Sequence, residues 1–275
     1  MSRAGKIVTI ISGTRFAQKI YEYVNRKTAE LMGIGSGGDV CSSGEMAVVG
    51  RMLKLLPAPY CIFDVGANTG QFLNLVMSKM AAGEYSIHCF EPSPQAFAEL
   101  SRGKRANNAS VILNPVGLGK EVGEVILYYN EPGSQIASLT KRRLDHLGVD
   151  FSQSQTVRID TLDHYCEVNG VRRIDLMKVD VEGHELDVLQ AGGHRMFEAG
   201  AVKLVIFEFG GCNIDTRTFF QDFFYFFKNV RMDLFRITPS GYLYPITQYK
   251  EIFEQFRTTN FLAVHGSLSK LEILQ

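Results

Sequence analysis

Short apolar runs alternate with stretches of helical periodicity from residue 60 onward. Strands that alternate with helices predict an α/β fold, with a mostly parallel seven-stranded sheet covered by helices on both faces. The apolar runs place the seven strands at 60–65, 85–90, 110–116, 174–180, 203–209, 232–238 and 259–265. Apolar side chains three and four residues apart place helices at 69–81, 94–102, 183–191 and 216–228.

A different pattern precedes residue 57. Helical periodicity at 14–32 and a second helical stretch at 45–56 are separated by the glycine-rich segment 33–38. These features predict an N-terminal helical extension over residues 1–56. The alternating core then spans 57–267, and residues 268–275 form a tail.

The alternation also breaks between residues 117 and 159. Strand-like runs at 122–129 and 156–159 enclose a loop-like stretch that carries Lys141, Arg142 and Arg143. This predicts a β insertion after the third strand. An insertion of this length beside a nucleotide-binding fold shapes or covers the substrate pocket.

Composition narrows the class of protein. The chain has 275 residues, is 45% hydrophobic, and its 29 basic and 29 acidic side chains give a formal net charge of zero. A net charge of zero does not indicate binding to nucleic acid or to an anionic membrane. No segment reaches the roughly 18 apolar residues of a membrane span. The five cysteines are scattered without Cys-x-x-Cys spacing, which indicates reduced thiols and a cytoplasmic location.

The first core strand ends in an acid followed by a glycine turn. Gly66 and Gly70 enclose Asn68, which stands where a dinucleotide fingerprint has its middle glycine. The carboxylate of Asp64, two residues before the turn, would repel a pyrophosphate. It suits a ligand with a positive end, such as the ammonium and sulfonium of S-adenosylmethionine. The turn therefore predicts a phosphate-free, cationic nucleoside cofactor.

The second and third strands complete this predicted cofactor site. Glu91 follows Gly70 by 21 residues and ends the second strand, where a carboxylate accepts both ribose hydroxyls. Pro92 comes directly after it, and Asn114 ends the third strand, where adenine would lie. A capping role for Glu91 and a plain turn at Asn114 are the structural alternatives.

Several segments together resemble the FkbM-type methyltransferase family. The most specific is Lys-x-Asp-x-Glu-Gly-x-Glu starting at Lys178, and the resemblance covers roughly residues 40–265. It implies a class I, Rossmann-like fold and S-adenosylmethionine-dependent O-methyl transfer to a hydroxyl of a sugar, polysaccharide or secondary metabolite. It also implies an acceptor-side role for Glu45. The segments that carry it are Ser43–Glu45, Asp64–Gly70, Phe90–Pro92, Thr161–Asp163 and Ile174–Glu185.

Methyl transfer to an alcohol requires a group that removes the hydroxyl proton during attack. Asp180 ends a strand that should share its ligand-binding edge with Asp64, so it is the leading base candidate. Glu208, at the end of the next strand, is its helper or alternative, and His184 is within reach by sequence.

Other polar residues of this region have two interpretations each. Lys178 and Glu182 are predicted on the acceptor side, but Lys178 could simply pair with an acid and Glu182 could start a helix. Carboxylates at 180, 182 and 208 would also permit an oxygen-ligated Mg²⁺, although no spacing requires a metal.

Two alternative functions remain open from the sequence. The chain could be a non-catalytic S-adenosylmethionine-binding or interaction module, with the helix at 14–32 serving a partner or a homo-oligomer. A nucleotide-sugar dehydrogenase or epimerase would need Tyr-x-x-x-Lys after the glycine turn, but the spacing occurs only at Tyr23 and Lys27, ahead of it. The leading prediction is an O-methyltransferase with a small-molecule or glycan acceptor.

Overall fold

The computed structural model describes residues 12–38, 43–81, 83–102 and 108–268, which form two sheets and their surrounding helices. The strands are β1 (Tyr60–Val65), β2 (Tyr85–Phe90), β3 (Val111–Asn114), β4 (Gly117–Leu118), β5 (Gly123–Tyr129), β6 (Gln153–Asp160), β7 (Ile174–Val179), β8 (Val202–Phe209), β9 (Met232–Ile237), β10 (Leu243–Ile246) and β11 (Thr259–His265). The helices are α1 (Arg15–Leu31), α2 (Glu45–Leu55), α3 (Gln71–Lys79), α4 (Pro94–Leu100), α5 (Leu162–Val168), α6 (His194–Glu198), α7 (Cys212–Thr216) and α8 (Phe220–Asn229).

The main sheet has eight strands in the order β10-β9-β11-β8-β7-β1-β2-β3. The five strands from β8 to β3 are parallel, whereas β11 pairs antiparallel with both β8 and β9. This confirms an α/β fold with a mostly parallel sheet and the seven predicted strands. Parallel strands meet with their carboxyl ends at one edge, where open α/β sheets bind ligands.

The eighth strand, β10, was not predicted. It forms an antiparallel hairpin with β9 through a turn in which Gly241 has φ +78°. Tyr244 and Pro245 are exposed while Leu243 and Ile246 are buried. A four-residue run with a proline inside it does not predict a strand. An edge strand tolerates the proline because its outer side forms no hydrogen bonds with another strand.

Two predicted helices are shorter than their sequence patterns. The stretch 183–191 is helical only from Glu185 onward, after the left-handed residue Gly183, and it ends in a π-helical turn, Asp187–Ala191. The stretch 216–228 begins instead at α8, because Arg217 has φ +60° and ends α7. The phenylalanine-rich face of α8 packs on the sheet as expected, where the rings of Phe207 and Phe223 stack at 5.0 Å.

The predicted insertion forms a separate three-stranded sheet in the order β4-β6-β5. N-terminal to the core, α1 is exposed along nearly its whole length, and Ala29 is its buried residue. No helix in the described part of the chain is long and apolar enough to cross a membrane. Residues 1–11 of the predicted extension, and the predicted tail beyond residue 268, lie outside the described residues.

Candidate active site

A cavity of about 640 Å³ opens at the carboxyl ends of β1, β2, β7 and β8. Its position is the one that the parallel strands of the fold dictate. Gly70, Asn114 and His184 do not line it. The other predicted site residues do, namely Glu45, Asp64, Gly66, Asn68, Glu91, Pro92, Lys178, Asp180, Glu182 and Glu208. The structure therefore brings most of the predicted cofactor and acceptor residues into one space.

The glycine turn lies against the end of β7. Gly66 has φ +85°, and a β-carbon on it would overlap the carbonyl oxygen of Asp180. The N–H groups of Gly66 and Ala67 both donate to the Phe90 carbonyl at 3.0 Å. Gly70, with φ +89°, begins α3 rather than lining the cavity. Only glycine fits at position 66, because both the backbone conformation and the available space exclude a side chain.

Asp64 is a fully buried carboxyl group in the wall of the cavity. Neither of its oxygens has a hydrogen-bond partner of good geometry within the described residues, although the Leu73 N–H lies close enough to lower its pKa slightly. Burial raises the pKa of Asp64 to about 7, while the nearby Lys178 ammonium acts to lower it. A buried carboxylate without a partner carries a desolvation penalty that a cationic ligand would remove.

Glu91 binds its own loop and still lines the cavity. Oε2 accepts from the Asn68 N–H at 2.9 Å, and Oε1 accepts from the Ser93 N–H at 2.8 Å. Burial raises the pKa of Glu91 to about 7. Each carboxylate oxygen has a second lone pair, so the group can hold the turn and also accept a ribose hydroxyl.

Asn114 ends β3, as the sequence predicts. Its side-chain amide donates to the Cys89 carbonyl at 3.1 Å inside the sheet, and the residue does not line the cavity. The apolar slot, as we term the apolar part of the lining near the end of β2, consists of Pro92, Leu118, Leu127 and Ile159. The sequence did not predict Leu118, Leu127 and Ile159 as lining residues, because an apolar residue in a strand has the same pattern whether it lines a pocket or packs in the core.

The acceptor side is an acid cluster with two cations. Lys178 Nζ lies 2.8 Å from Asp180 Oδ2, and the carboxylates around Lys178 raise its pKa. Arg142, from the insertion, lies 2.7 Å from Glu182 Oε2. Burial raises the pKa of Glu182 to about 8 and that of Glu208 well above its ordinary value, and the Asp180 carboxylate acts in the same direction. These influences disfavour the charged form of Glu208.

The loop after β7, which carries part of the acid cluster, has a strained backbone. Glu182 has φ +54°, a conformation that non-glycine residues rarely adopt. The loop is held from inside by Glu185, whose Oε1 accepts from the N–H groups of Val181 and Gly183 at 3.1 and 3.0 Å. Glu185 is fully buried and supports the loop instead of entering the cavity.

His184 also differs from its predicted role. Its Nε2 lies 2.9 Å from Thr140 Oγ1 and its Nδ1 lies 2.7 Å from Asp187 Oδ2. Both ring nitrogens are engaged outside the cavity lining, so His184 ties the insertion to the loop after β7. Because it does not reach the cavity, we assign it no catalytic role.

The insertion covers the cavity, and several polar contacts hold it there. In addition to the His184–Thr140 contact and the Arg142–Glu182 pair, Ser138 Oγ donates to the Glu182 carbonyl at 2.7 Å. Arg142 Nε also lies 3.6 Å from Asp215 Oδ2. Insertion residues from Ser134 to Leu147 contribute to the lining. Among the described residues, no three histidine, cysteine or acidic side chains are grouped so that they could hold a metal ion.

The strand order and the cavity define a Rossmann-like, nucleoside-binding fold of the methyltransferase type. Residues 64–236 match the family described as Methyltransferase FkbM domain, and the chain belongs to this family. This confirms the resemblance carried by the segments from Asp64 to Glu185.

Individual relatives match over part of their length. The chain is 31% identical over 143 residues to Methyltransferase 1 of Beauveria bassiana, covering 47% of this chain and 57% of that protein. It is 29% identical over 147 residues to the hexuronic acid methyltransferase AglP of Haloferax volcanii, covering 54% and 56%. The chain thus spans little more than half the length of these curated relatives. A solved Methyltransferase FkbM from Methylobacillus flagellatus aligns at 13% identity with a TM-score of 0.46, covering 79% of this chain and 47% of that one.

Proposed function

We propose that the protein is an S-adenosylmethionine-dependent O-methyltransferase acting on a hydroxyl of a sugar or related small molecule. The observation that carries the proposal is the shared cavity, in which the turn around Asp64 and Gly66 meets the acid cluster around Asp180. A methyltransferase needs both a cofactor site and an acceptor site within bonding reach of each other. The family membership and the hexuronic acid methyltransferase relative support the same reaction class.

The cavity residues fit S-adenosylmethionine. Asp64 offers an unpartnered buried carboxylate to the positive end, Glu91 offers acceptor oxygens to the ribose, and the slot beside Pro92 offers apolar walls to the adenine. When bound, the cofactor supplies an electrophilic methyl group on a positively charged sulfur.

The chain's own contribution is to orient the acceptor hydroxyl and remove its proton. Asp180 lies at the cavity with one oxygen held by Lys178, which fixes the direction of the carboxylate. Burial and the Asp180 carboxylate raise the pKa of Glu208, which favours its protonated form, so Glu208 suits the role of a hydrogen-bond donor. We therefore assign the base to Asp180 and the donor role to Glu208.

Equilibrium binding and product analysis test the proposal together. The full chain should bind S-adenosylhomocysteine in isothermal titration calorimetry and should not bind NAD. Incubation with isotopically labelled S-adenosylmethionine and a panel of glycans should give methylated product detected by mass spectrometry. Binding of NAD alone would reject the proposal. Cofactor binding with no transfer to any hydroxyl would favour a non-catalytic binding module.

A further inference from the structure

One wall of the cavity has no role in the site described above. We term it the arginine wall, and it consists of Gly37, Gly38, Phe256, Arg257 and Thr258. The Gly37 N–H joins its two segments by donating to the Thr258 carbonyl at 3.0 Å. One segment follows α1 and the other precedes β11. The wall is thus built from parts of the chain that contribute nothing to the cofactor turn.

Arg257 differs from the other strong cations of the cavity. Lys178, Arg142 and Arg143 each form an ion pair with a carboxylate. In the part of the chain that the structure describes, no carboxylate lies within ion-pair distance of Arg257. Among the described acids, Glu30 acts on Arg257 only from beyond ion-pair distance and is itself paired with Lys27 at 2.8 Å. The half-buried Arg257 guanidinium can therefore accept an anion supplied from outside.

Packing, not charge pairing, positions this guanidinium. Arg257 Nη2 lies 2.7 Å from the position that a β-carbon on Gly35 would take. The guanidinium therefore packs on the Gly35 backbone, where any side chain would displace it. The Arg257 carbonyl accepts from Thr259 Oγ1 at 2.6 Å, which anchors the backbone at the start of β11. A guanidinium held in this way loses little further freedom when it binds an anion.

We propose that Arg257 binds an anionic group, a carboxylate or a phosphate, on the acceptor molecule. This inference rests on the proposed function. A guanidinium matches either group with two parallel hydrogen bonds, and Phe256 beside it offers an apolar surface to the carbon skeleton. The acceptor is then an acidic sugar or a sugar phosphate, and a neutral glycan binds less well.

Three probes test this subsite on the full chain saturated with S-adenosylhomocysteine. They are methyl glucuronide, glucose 6-phosphate and the neutral methyl glucoside, each measured by equilibrium titration. We expect at least one anionic probe to bind about tenfold or more tighter than the glucoside, and the better one distinguishes carboxylate from phosphate. Arg257→Met should abolish this preference, and Arg257→Lys should retain part of it.

A control variant separates this subsite from general charge. Arg102→Met removes one exposed arginine that pairs with Glu99 away from the cavity, and it should leave every affinity unchanged. Equal affinity for all three probes, including no detectable binding of any, would overturn the inference, as would a preference that survives Arg257→Met. Failure of the unaltered chain to bind S-adenosylhomocysteine would count against the proposed function instead.

Discussion

The α-carbon of Gly66 packs against the carbonyl oxygen of Asp180, with no room for a side chain between them. The Asp180 N–H also donates to the Val65 carbonyl at 2.9 Å. The turn assigned to the cofactor and the carboxylate assigned as the base are therefore one rigid unit. A change of the backbone on either side of this contact will affect both.

Gly66→Ala should damage the fold and the cofactor site together. The new methyl group would overlap Asp180 and would force alanine to φ +85°, which costs about 1–3 kcal/mol from the backbone alone. We expect a loss of at least about 2 kcal/mol in the free energy of unfolding and at least about tenfold weaker binding of S-adenosylhomocysteine. Urea denaturation and calorimetry measure these. Gly123→Ala, where a β-carbon meets open space, is the matched control.

Asp180→Asn should abolish turnover while sparing the cofactor. The amide keeps the size of the carboxylate but cannot take a proton, so we expect kcat to fall about 10²–10⁴-fold. The dissociation constant of S-adenosylhomocysteine should change by less than about threefold. Glu198→Gln, at an exposed acid on α6, serves as the control. Full turnover in Asp180→Asn would remove Asp180 as the base.

Asp64 links folding stability to pH. Its pKa is about 7 in the folded chain against an ordinary 3.8, so between these values the folded protein keeps a proton that the unfolded chain has released. The free energy of unfolding of the cofactor-free protein should therefore fall as pH rises, by at most about 1.4 kcal/mol per pH unit from this group. Asp64→Asn should reduce that slope and make the protein more stable at pH 8, as urea denaturation across pH 5–8 would show.

Cofactor affinity should follow the opposite trend with pH. The charged form of Asp64 attracts a cationic ligand, so the affinity of the unaltered chain for S-adenosylhomocysteine, through its ammonium, should rise as pH approaches and passes about 7. Asp64→Asn should bind at least about tenfold more weakly and lose much of this pH dependence. A wild-type affinity that is flat from pH 5 to pH 8 would show that Asp64 only shapes the loop.

Arg142 and Arg143 form a natural pair of test variants on the insertion. The Arg142 side chain is 11% exposed and lies beside the carboxylates of Glu182 and Asp215, whereas that of Arg143 is 88% exposed. Arg142→Met leaves two enclosed acids without their cation, and we expect stability to fall by about 1–3 kcal/mol.

The same substitution should also loosen the cover over the cavity. Hydrogen exchange at residues 134–147 should accelerate in Arg142→Met, and the KM for the acceptor should rise. Arg143→Met should leave the exchange rates unchanged, because an exposed ion pair contributes little. Equal exchange rates in the two variants would show that Arg142 does not hold the cover.

Patterning was sufficient for most of the fold because seven of the strands are buried apolar runs flanked by helices. It failed at β10, whose central Pro245 removes the strand signal, and at α8, whose start depends on the left-handed residue Arg217. Such breaks arise from tertiary contacts that a local pattern does not contain.

Sequence reasoning about the site worked where a charged residue ends a strand. Asp64, Glu91, Asp180 and Glu208 share the cavity because parallel strands bring their ends together. Position on a loop was a weaker guide to the cavity lining. His184 lies only four residues after Asp180, yet its side chain contacts Thr140 instead of the cavity. The sequence predicted that the insertion shapes or covers the pocket, but which of its side chains line the cavity, and the presence of Arg257 among the lining residues, depend on long-range packing.

Different segments of the chain build different walls of the cavity, and this affects how the protein can evolve. The cofactor turn and the ribose acid come from one continuous stretch, 60–92, whereas the remaining walls come largely from the insertion and from residues 208–258. Mutations or segment exchange within residues 130–152 and 251–258 avoid both the glycine turn and the apolar residues proposed for the adenine. Under the proposed function, acceptor choice can therefore drift between lineages while the methyl donor stays the same, and grafting these two segments from a relative is the direct route to redirecting it.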